Sequence, residues 1–211
     1  KKARAVFAKI RALRLKGFFL RLKLLKDKDW KTRWKKYVKP FAITSQIRVV
    51  PLWKAGQKTK KSDKDIYIDT AFAFGTGLHA TTQMMARLIA LETGRFSRFL
   101  DVGTGSGILS IIAHRYGGRQ LYAIDIAKDA IKTARRNLRI NQCLPTHVKA
   151  LSFEEFRVKK QFDFIAANLL TEDLIRLKNK LIVCLKPGKY LAASGIYRDN
   201  YAGFRKRFTD R

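Results

Sequence analysis

The sequence predicts an α/β fold in which helices cover both faces of a mostly parallel central sheet, preceded by a small α+β segment. Three observations carry that expectation. From about residue 65 onward, short apolar runs alternate with segments of helical period, the pattern of βαβ units that build parallel sheets. A glycine-rich turn, "DVGTGSG" over 101–107, follows one strand-like run and opens a helical one. The next strand-like run, "LYAID", ends on Asp125, where nucleotide-binding sheets place an acid.

The elements follow in order. Residues 3–16 carry Val6, Phe7, Ile10 and Leu13 at helical spacing, Gly17 ends that pattern, and "FFLRLKLL" alternates like a strand. Asp29 caps a short expected helix with Trp30, Trp34 and Tyr37 on one face, and "IRVVPLW" reads as a strand stopped by Pro51. The lysine-rich "KAGQKTKKSDKD" has no periodicity and reads as a loop or linker. This divides the chain into a basic segment, 1–57, and a larger domain, 58–211. The domain continues with strand "DIYID", a helix from about His79 to Glu92, strand "RFLDVG", helix "GILSIIAHRYG", strand "QLYAID" and helix "AKDAIKTARRNLRIN". A short strand near "THVKAL", strand "FDFIAANLL", helix "EDLIRLKNKLIVCL", strand "KYLAASG" and an amphipathic helix in "NYAGFRKRF" complete it.

Composition narrows the class. At 211 residues and 46% hydrophobic, the chain has material for one large domain, with or without an appendage. No apolar run is long enough to cross a bilayer. The first twenty residues are basic and amphipathic but run into further patterned sequence, so folded structure is expected there rather than a targeting peptide. The first residue is Lys rather than Met, which suggests a trimmed chain. Cys143 and Cys184 lack metal-ligand spacing, and His79, His114 and His147 are scattered. Two reduced thiols, a cytoplasmic location, no metal site and a monomer are therefore expected.

Charge is the outlier. The net charge is +30, and residues 1–60 hold 20 lysines and arginines against only Asp27 and Asp29. Such a field attracts polyanions, with ribosomal RNA the natural candidate. A solvated basic surface without a dedicated partner is the alternative, since charge alone does not define a site.

The glycine turn over 101–107 reads as a nucleoside site. Gly103, Gly105 and Gly107 allow a tight turn and let a ligand approach bare backbone. Their G-x-G-x-G spacing differs from the dinucleotide fingerprint, which argues against NAD. Asp125 can accept both ribose hydroxyls of an adenosine. Asp101, just ahead of the glycines, can order the turn or meet a cationic ligand. Together these features resemble the class I S-adenosylmethionine-dependent methyltransferases, a Rossmann-like fold. That resemblance makes S-adenosyl-L-methionine the expected cofactor. Such enzymes present acceptor-side residues after the fourth strand, here "AANLL" with Asn168. Its amide can orient an amine or contact the cofactor; taken alone it reads as a cap for the following helix, but its position in this fold favours the site role. The Asn/Asp-Pro-Pro-aromatic signature of adenine-amino and glutamine-amide methyltransferases is absent.

With "AFGTGLHATT" over 73–82 included, the chain resembles the PrmA family, which methylates ribosomal protein L11. The likeness runs from about Asp29 to Ile196 and includes "DWKTRWKKYVKPFAI" and "RVVPLW". It implies a protein methyltransferase acting on amino groups, usually of lysine. By position, Gly103, Gly105, Gly107 and Asp125 would hold the cofactor, Thr81 and Asn168 would line it, and Phe74 to Gly77 would wall the acceptor channel. A related branch methylates a mitochondrial flavoprotein, so membership does not fix the acceptor. His79 is either a general base or a helix-start residue shaping the loop.

Relative to the family's "GTGxHPTT" and "IDxDP", Ala80 and Ala127 replace a proline and an aspartate. Both ends read as abbreviated. The competing expectation is a ribosome- or RNA-binding protein on the same fold, either an RNA methyltransferase or a weak catalyst. In that case Trp30, Trp34 and Tyr37 would stack on bases rather than fill a core.

Overall fold

The computed structural model describes residues 38–55, 62–69, 77–144, 147–157 and 161–209. The chain forms two compact units, Lys1–Val38 and Lys39–Arg211, and every element below belongs to the second. The helix expected over 3–16, strand "FFLRLKLL", the tryptophan helix and Phe74 lie outside the described residues.

Two short strands, β1 (Phe41–Ala42) and β2 (Arg48–Pro51), precede β3 (Asp65–Ile68). They form one sheet in which β1 and β2 run antiparallel and β2 and β3 parallel. Arg48 donates to both carboxylate oxygens of Asp65 at 2.6 and 2.9 Å across the first rung. That bond to Arg48 holds the Asp65 carboxyl below its usual range despite burial.

The larger sheet alternates as the sequence predicts. Helix α1 (Ala80–Leu91) precedes β4 (Arg98–Val102), followed by α2 (Ile108–Arg115), β5 (Gln120–Asp125), α3 (Lys128–Ile140) and β6 (His147–Ala150). Then come β7 (Phe162–Asn168), α4 (Thr171–Cys184), β8 (Leu185–Ser194) and α5 (Tyr201–Thr209). Strand order is β6-β5-β4-β7-β8, all parallel.

Alternate residues along each strand point to opposite faces, which divides the core. Phe99 of β4 and Phe164 of β7 pack in one cluster with Met85, Ile89, Ile111, Ile112 and Leu138 of α1, α2 and α3. Leu100 and Ile165 face the other cluster, with Leu174, Leu177 and Leu181 of α4 and Phe204 of α5. The three-stranded sheet contributes Val49, Ile66 and Ile68 to the first cluster.

One boundary departs from expectation. Strand β8 begins at Leu185, upstream of the expected "KYLAASG". The register breaks between Phe162↔Leu185 and Phe164↔Tyr190, where Lys186, Pro187 and Gly188 bulge out. Lys186 Nζ anchors the bulge on Asp163 Oδ1 at 2.6 Å. The consequence for function lies at the other end. From β4 the chain winds outward through β5 to β6 and then crosses back to the other side of β4 as β7, so the carboxyl ends of β4, β5 and β7 frame the crevice where such sheets bind ligands.

Candidate active site

Beyond β4 the chain turns through Gly103, Gly105 and Gly107, with φ of 73°, 53° and 81°. The amides of Gly103 and Thr104 both donate to the Ile124 carbonyl, at 2.9 and 3.0 Å, tying the turn to β5. At the end of β5, Asp125 accepts the Gly105 N–H on Oδ2 and the Ala127 N–H on Oδ1, each at 2.9 Å. One carboxylate thus spans the turns after β4 and β5. Each of its oxygens has another lone pair for a ligand diol.

Asp101 lies beneath the turn and is 1% exposed. Its Oδ2 accepts hydroxyl hydrogens from Thr104 at 2.7 Å and Ser110 at 2.8 Å. Burial pushes its pKa up to about 6, against the pull of those hydroxyls. It does not line the cavity. Of the two roles the sequence allowed, the geometry matches ordering the turn and the start of α2.

Above the turn is a cavity of about 280 Å³ whose lining includes Gly103, Thr104, Gly105 and Asp125. Ile126, Leu151 and Phe153 supply apolar walls, and Thr82, Asn168 and Leu169 close another side. The Thr82 hydroxyl is buried and has no hydrogen-bond partner among the described residues. Arg176 pairs with both Glu154 and Asp173, and all three residues line the cavity. A second cavity, of about 590 Å³, is lined by His79, Thr81, Gly195 and Tyr197. It shares Asn168, Leu169 and Asp173 with the first, so the two spaces meet just beyond β7.

Asn168 ends β7 in register with Ser194, whose hydroxyl donates to Asn168 Oδ1 at 2.8 Å. His79 is the residue preceding α1, with Nδ1 2.8 Å from Thr81 Oγ1. A Cβ on Gly77 would lie 2.9 Å from Ile108 Cδ1, so Gly77 packs on the helix that follows Gly107.

The structure therefore gathers Gly103, Gly105, Asp125 and Asn168 at one cavity and His79 and Thr81 at its neighbour. Gly107 begins α2 behind the turn, and Phe74 lies outside the described residues. Sequence reasoning missed Thr82, one position along α1 from Thr81; the phase of the helix was the available signal. It also missed Glu154 and Arg176, which look like ordinary surface charges until the fold sets them side by side. Among the described residues no three His, Cys, Asp or Glu come together as a metal site. None of their helices is long and apolar enough to cross a membrane.

The family model described as ribosomal protein L11 methyltransferase (PrmA) matches residues 2–210. Among curated proteins, the ribosomal protein L11 methyltransferase of Geotalea uraniireducens is 37% identical over 82% of this chain. That of Geobacter sulfurreducens is 38% identical over 85%. The chain spans 58% of the length of each. The crystal structure of a ribosomal protein L11 methylase from Lactobacillus delbrueckii subsp. bulgaricus superimposes with a TM-score of 0.70 at 30% identity. That likeness covers 81% of this chain and 86% of the other. An rRNA methylase from Streptococcus thermophilus shares the fold, with a TM-score of 0.52 at 17% identity over 64% of this chain and 82% of its own. A model match of this extent, with relatives above 30% identity over most of the sequence, places the chain in the ribosomal protein L11 methyltransferase (PrmA) family.

Proposed function

We propose that this chain carries the catalytic domain of an S-adenosylmethionine-dependent protein methyltransferase whose acceptors are lysine amino groups of ribosomal protein L11. The carrying observation is the meeting of two cavities at Asn168 and Leu169. One rests on the glycine turn and Asp125; the other opens past His79 and Thr81.

The first cavity fits that cofactor on three counts. Asp125 presents lone pairs for two ribose hydroxyls, and Ile126, Leu151 and Phe153 offer apolar surface to a flat base. The unpartnered Thr82 hydroxyl has a hydrogen bond to gain from a ligand. When bound, S-adenosylmethionine supplies a methyl group activated by its sulfonium.

The remaining work falls to the chain. Ser194 occupies one lone pair of Asn168 Oδ1; the second can accept an N–H from the incoming amine, turning the nitrogen lone pair toward the first cavity. A free lysine is protonated near neutrality, its reference pKa being ~10.4. Leu169, Leu170, Ile196 and Tyr197 line the acceptor side, and partial desolvation there disfavours the ammonium. As the N–C bond formed, the methyl's bond to sulfur would break and leave its electron pair on a neutral thioether, and the nitrogen would release a proton to water at the rim beside His79 and Thr81. Orientation and proximity supply most of the acceleration.

Calorimetry with S-adenosylmethionine tests the first step, and no binding would overturn the proposal. Mass spectrometry of ribosomal proteins and RNA after incubation with labelled cofactor tests the second. Label in L11 lysines is expected, and label in RNA alone would reject the protein acceptor. The +30 charge favours one addition: basic residues 1–57 contacting ribosomal RNA. A steep loss of RNA affinity with added salt would support it. The proposed working form is a cytoplasmic monomer, for which sedimentation is the check on mass.

A further inference from the structure

Helix α3 buries two amides where its apolar stripe should continue. Asn137 is 0% exposed and Asn141 8%, one turn apart beside Ala134 and Leu138. Buried amides are costly unless every polar atom finds a partner. Strand β3 supplies those partners along the edge not paired with β2. The Tyr67 N–H donates to Asn141 Oδ1 at 2.8 Å, and Asn141 Nδ2 donates to the Tyr67 carbonyl at 2.7 Å. Two residues on, the Asp69 N–H donates to Asn137 Oδ1 at 2.8 Å, and Asn137 Nδ2 donates to the Asp69 carbonyl at 3.1 Å. The spacing works because two strand residues and one helical turn both advance about 6 Å. The two side chains act as a neighbouring strand.

The pair differs in its last hydrogen bond. The second Asn141 hydrogen stays within its own helix, on the Asn137 carbonyl at 2.7 Å. The second Asn137 hydrogen leaves the helix and reaches the Ser106 carbonyl at 2.9 Å, inside the glycine turn. Close packing holds the two elements together there, since a Cβ on Gly107 would stand 3.2 Å from Ala134 Cα. An ion pair from Arg136 to Asp69 Oδ2, 2.7 Å, fixes the same end of β3.

We infer that Asn137 is a positioning residue of the methyl-transfer site: one amide bonds the cofactor turn through Ser106 and the residue just past β3, Asp69. The turn that receives the cofactor and the strand leading toward "AFGTGLHATT" share that side chain. Asn141 makes the same two bonds to β3 but none to the turn, which makes it the matched control. The inference rests on the cofactor reading above.

The test compares Asn137→Ala with Asn141→Ala. Both lose two bonds to β3, so both melt at lower temperature. Asn137→Ala alone is expected to weaken S-adenosylmethionine binding by about tenfold, the worth of a buried hydrogen bond, with Asn141→Ala within about twofold of the parent. At saturating cofactor Asn137→Ala also keeps a lowered kcat. Equal cofactor affinity in both variants, at a temperature where both are folded, would overturn the inference. Should Asn137→Ala fail to fold, amide exchange in the unaltered protein decides: cofactor is expected to protect the Asp69 amide more than that of Tyr67. Equal protection would overturn the inference as well. Failure of the unaltered protein to bind S-adenosylmethionine would instead overturn the cofactor reading.

Discussion

Gly103 and Leu169 meet across the switch point with no room between them: a Cβ on Gly103 would stand 2.5 Å from Leu169 Cδ2. The first residue follows β4, the second follows β7, and Leu169 lines both cavities. Gly103→Ala therefore meets two penalties, a φ of 73° that costs an L-residue about 1–2 kcal/mol and a displaced leucine. The expected result is a melting temperature lower by several degrees, at about 2–4 °C per kcal/mol for a chain of this size, together with weaker S-adenosylmethionine binding. Gly188→Ala is the control, because its φ is 70° but nothing among the described residues lies within 4 Å of the added methyl. It should lower stability and leave affinity alone. Equal affinities for the two variants would show that Leu169 does not shape the cofactor space.

Asp125 invites a sharper loss. Replacing it by alanine strips the acceptors from the Gly105 and Ala127 amides as well as from a bound ribose. Hydrogen bonds to a charged group are worth about 1.5–3 kcal/mol each, so affinity for S-adenosylmethionine should fall about 100-fold or more. Calorimetry measures it directly. Unchanged affinity would mean that the ribose sits elsewhere.

The fold was legible wherever a segment was long enough to show its period. Strands β4, β5 and β7 and helices α1 to α4 fall where apolar spacing puts them, because each buries a face or stripe. Two-residue β1 has no period to read. The start of β8 was hidden because Pro187 and Gly188 signal a turn, and the contacts that hold that bulge, Lys186 to Asp163 and Lys189 to the Arg95 carbonyl, are distant in sequence. At the site, the glycines, Asp125 and Asn168 were legible because a strand end followed by a turn fixes where they point. Asn137 and Asn141 were not. Their partners on β3 are 68 and 74 residues away in sequence, and in an amphipathic helix they pass for solvated residues.

Asp101 should leave a signature in the pH dependence of stability. Its folded pKa is about 6, against ~3.9 for an unperturbed aspartate. The folded state therefore binds more protons between those values, and Asp101's contribution is full below pH ~4 and lost as pH rises through ~6. Two units correspond to about 3 kcal/mol. Asp65 and Asp163, whose pKa values are lowered, act oppositely, losing stability as pH falls through their folded values, so the raw curve mixes signs. Subtracting the curve of Asp101→Asn isolates the group: denaturant unfolding should favour the variant progressively from pH 4 to 7. A pH-independent difference would mean that Asp101 is ionised throughout that range.

The last prediction concerns the amide between the two cavities. Because the Ser194 hydroxyl donates to Asn168 Oδ1 at 2.8 Å, the side-chain plane of Asn168 is set from β8 before any acceptor arrives. Removing the amide and loosening it are then different experiments. Asn168→Ala leaves the glycine turn and Asp125 intact and deletes the group that orients the amine. It should lower kcat by about 100-fold, in the range assigned to orientation, with a smaller change in S-adenosylmethionine affinity. Ser194→Ala keeps the amide but frees its rotation. A few-fold loss of kcat is expected, with cofactor affinity unchanged, and no further loss when the change is added to Asn168→Ala, since the hydroxyl acts through the amide. Steady-state kinetics with L11 as acceptor separates the cases. If Asn168→Ala raises KM and leaves kcat intact, the amide contributes only uniform binding, and the lone pair that holds the amine must come from another residue.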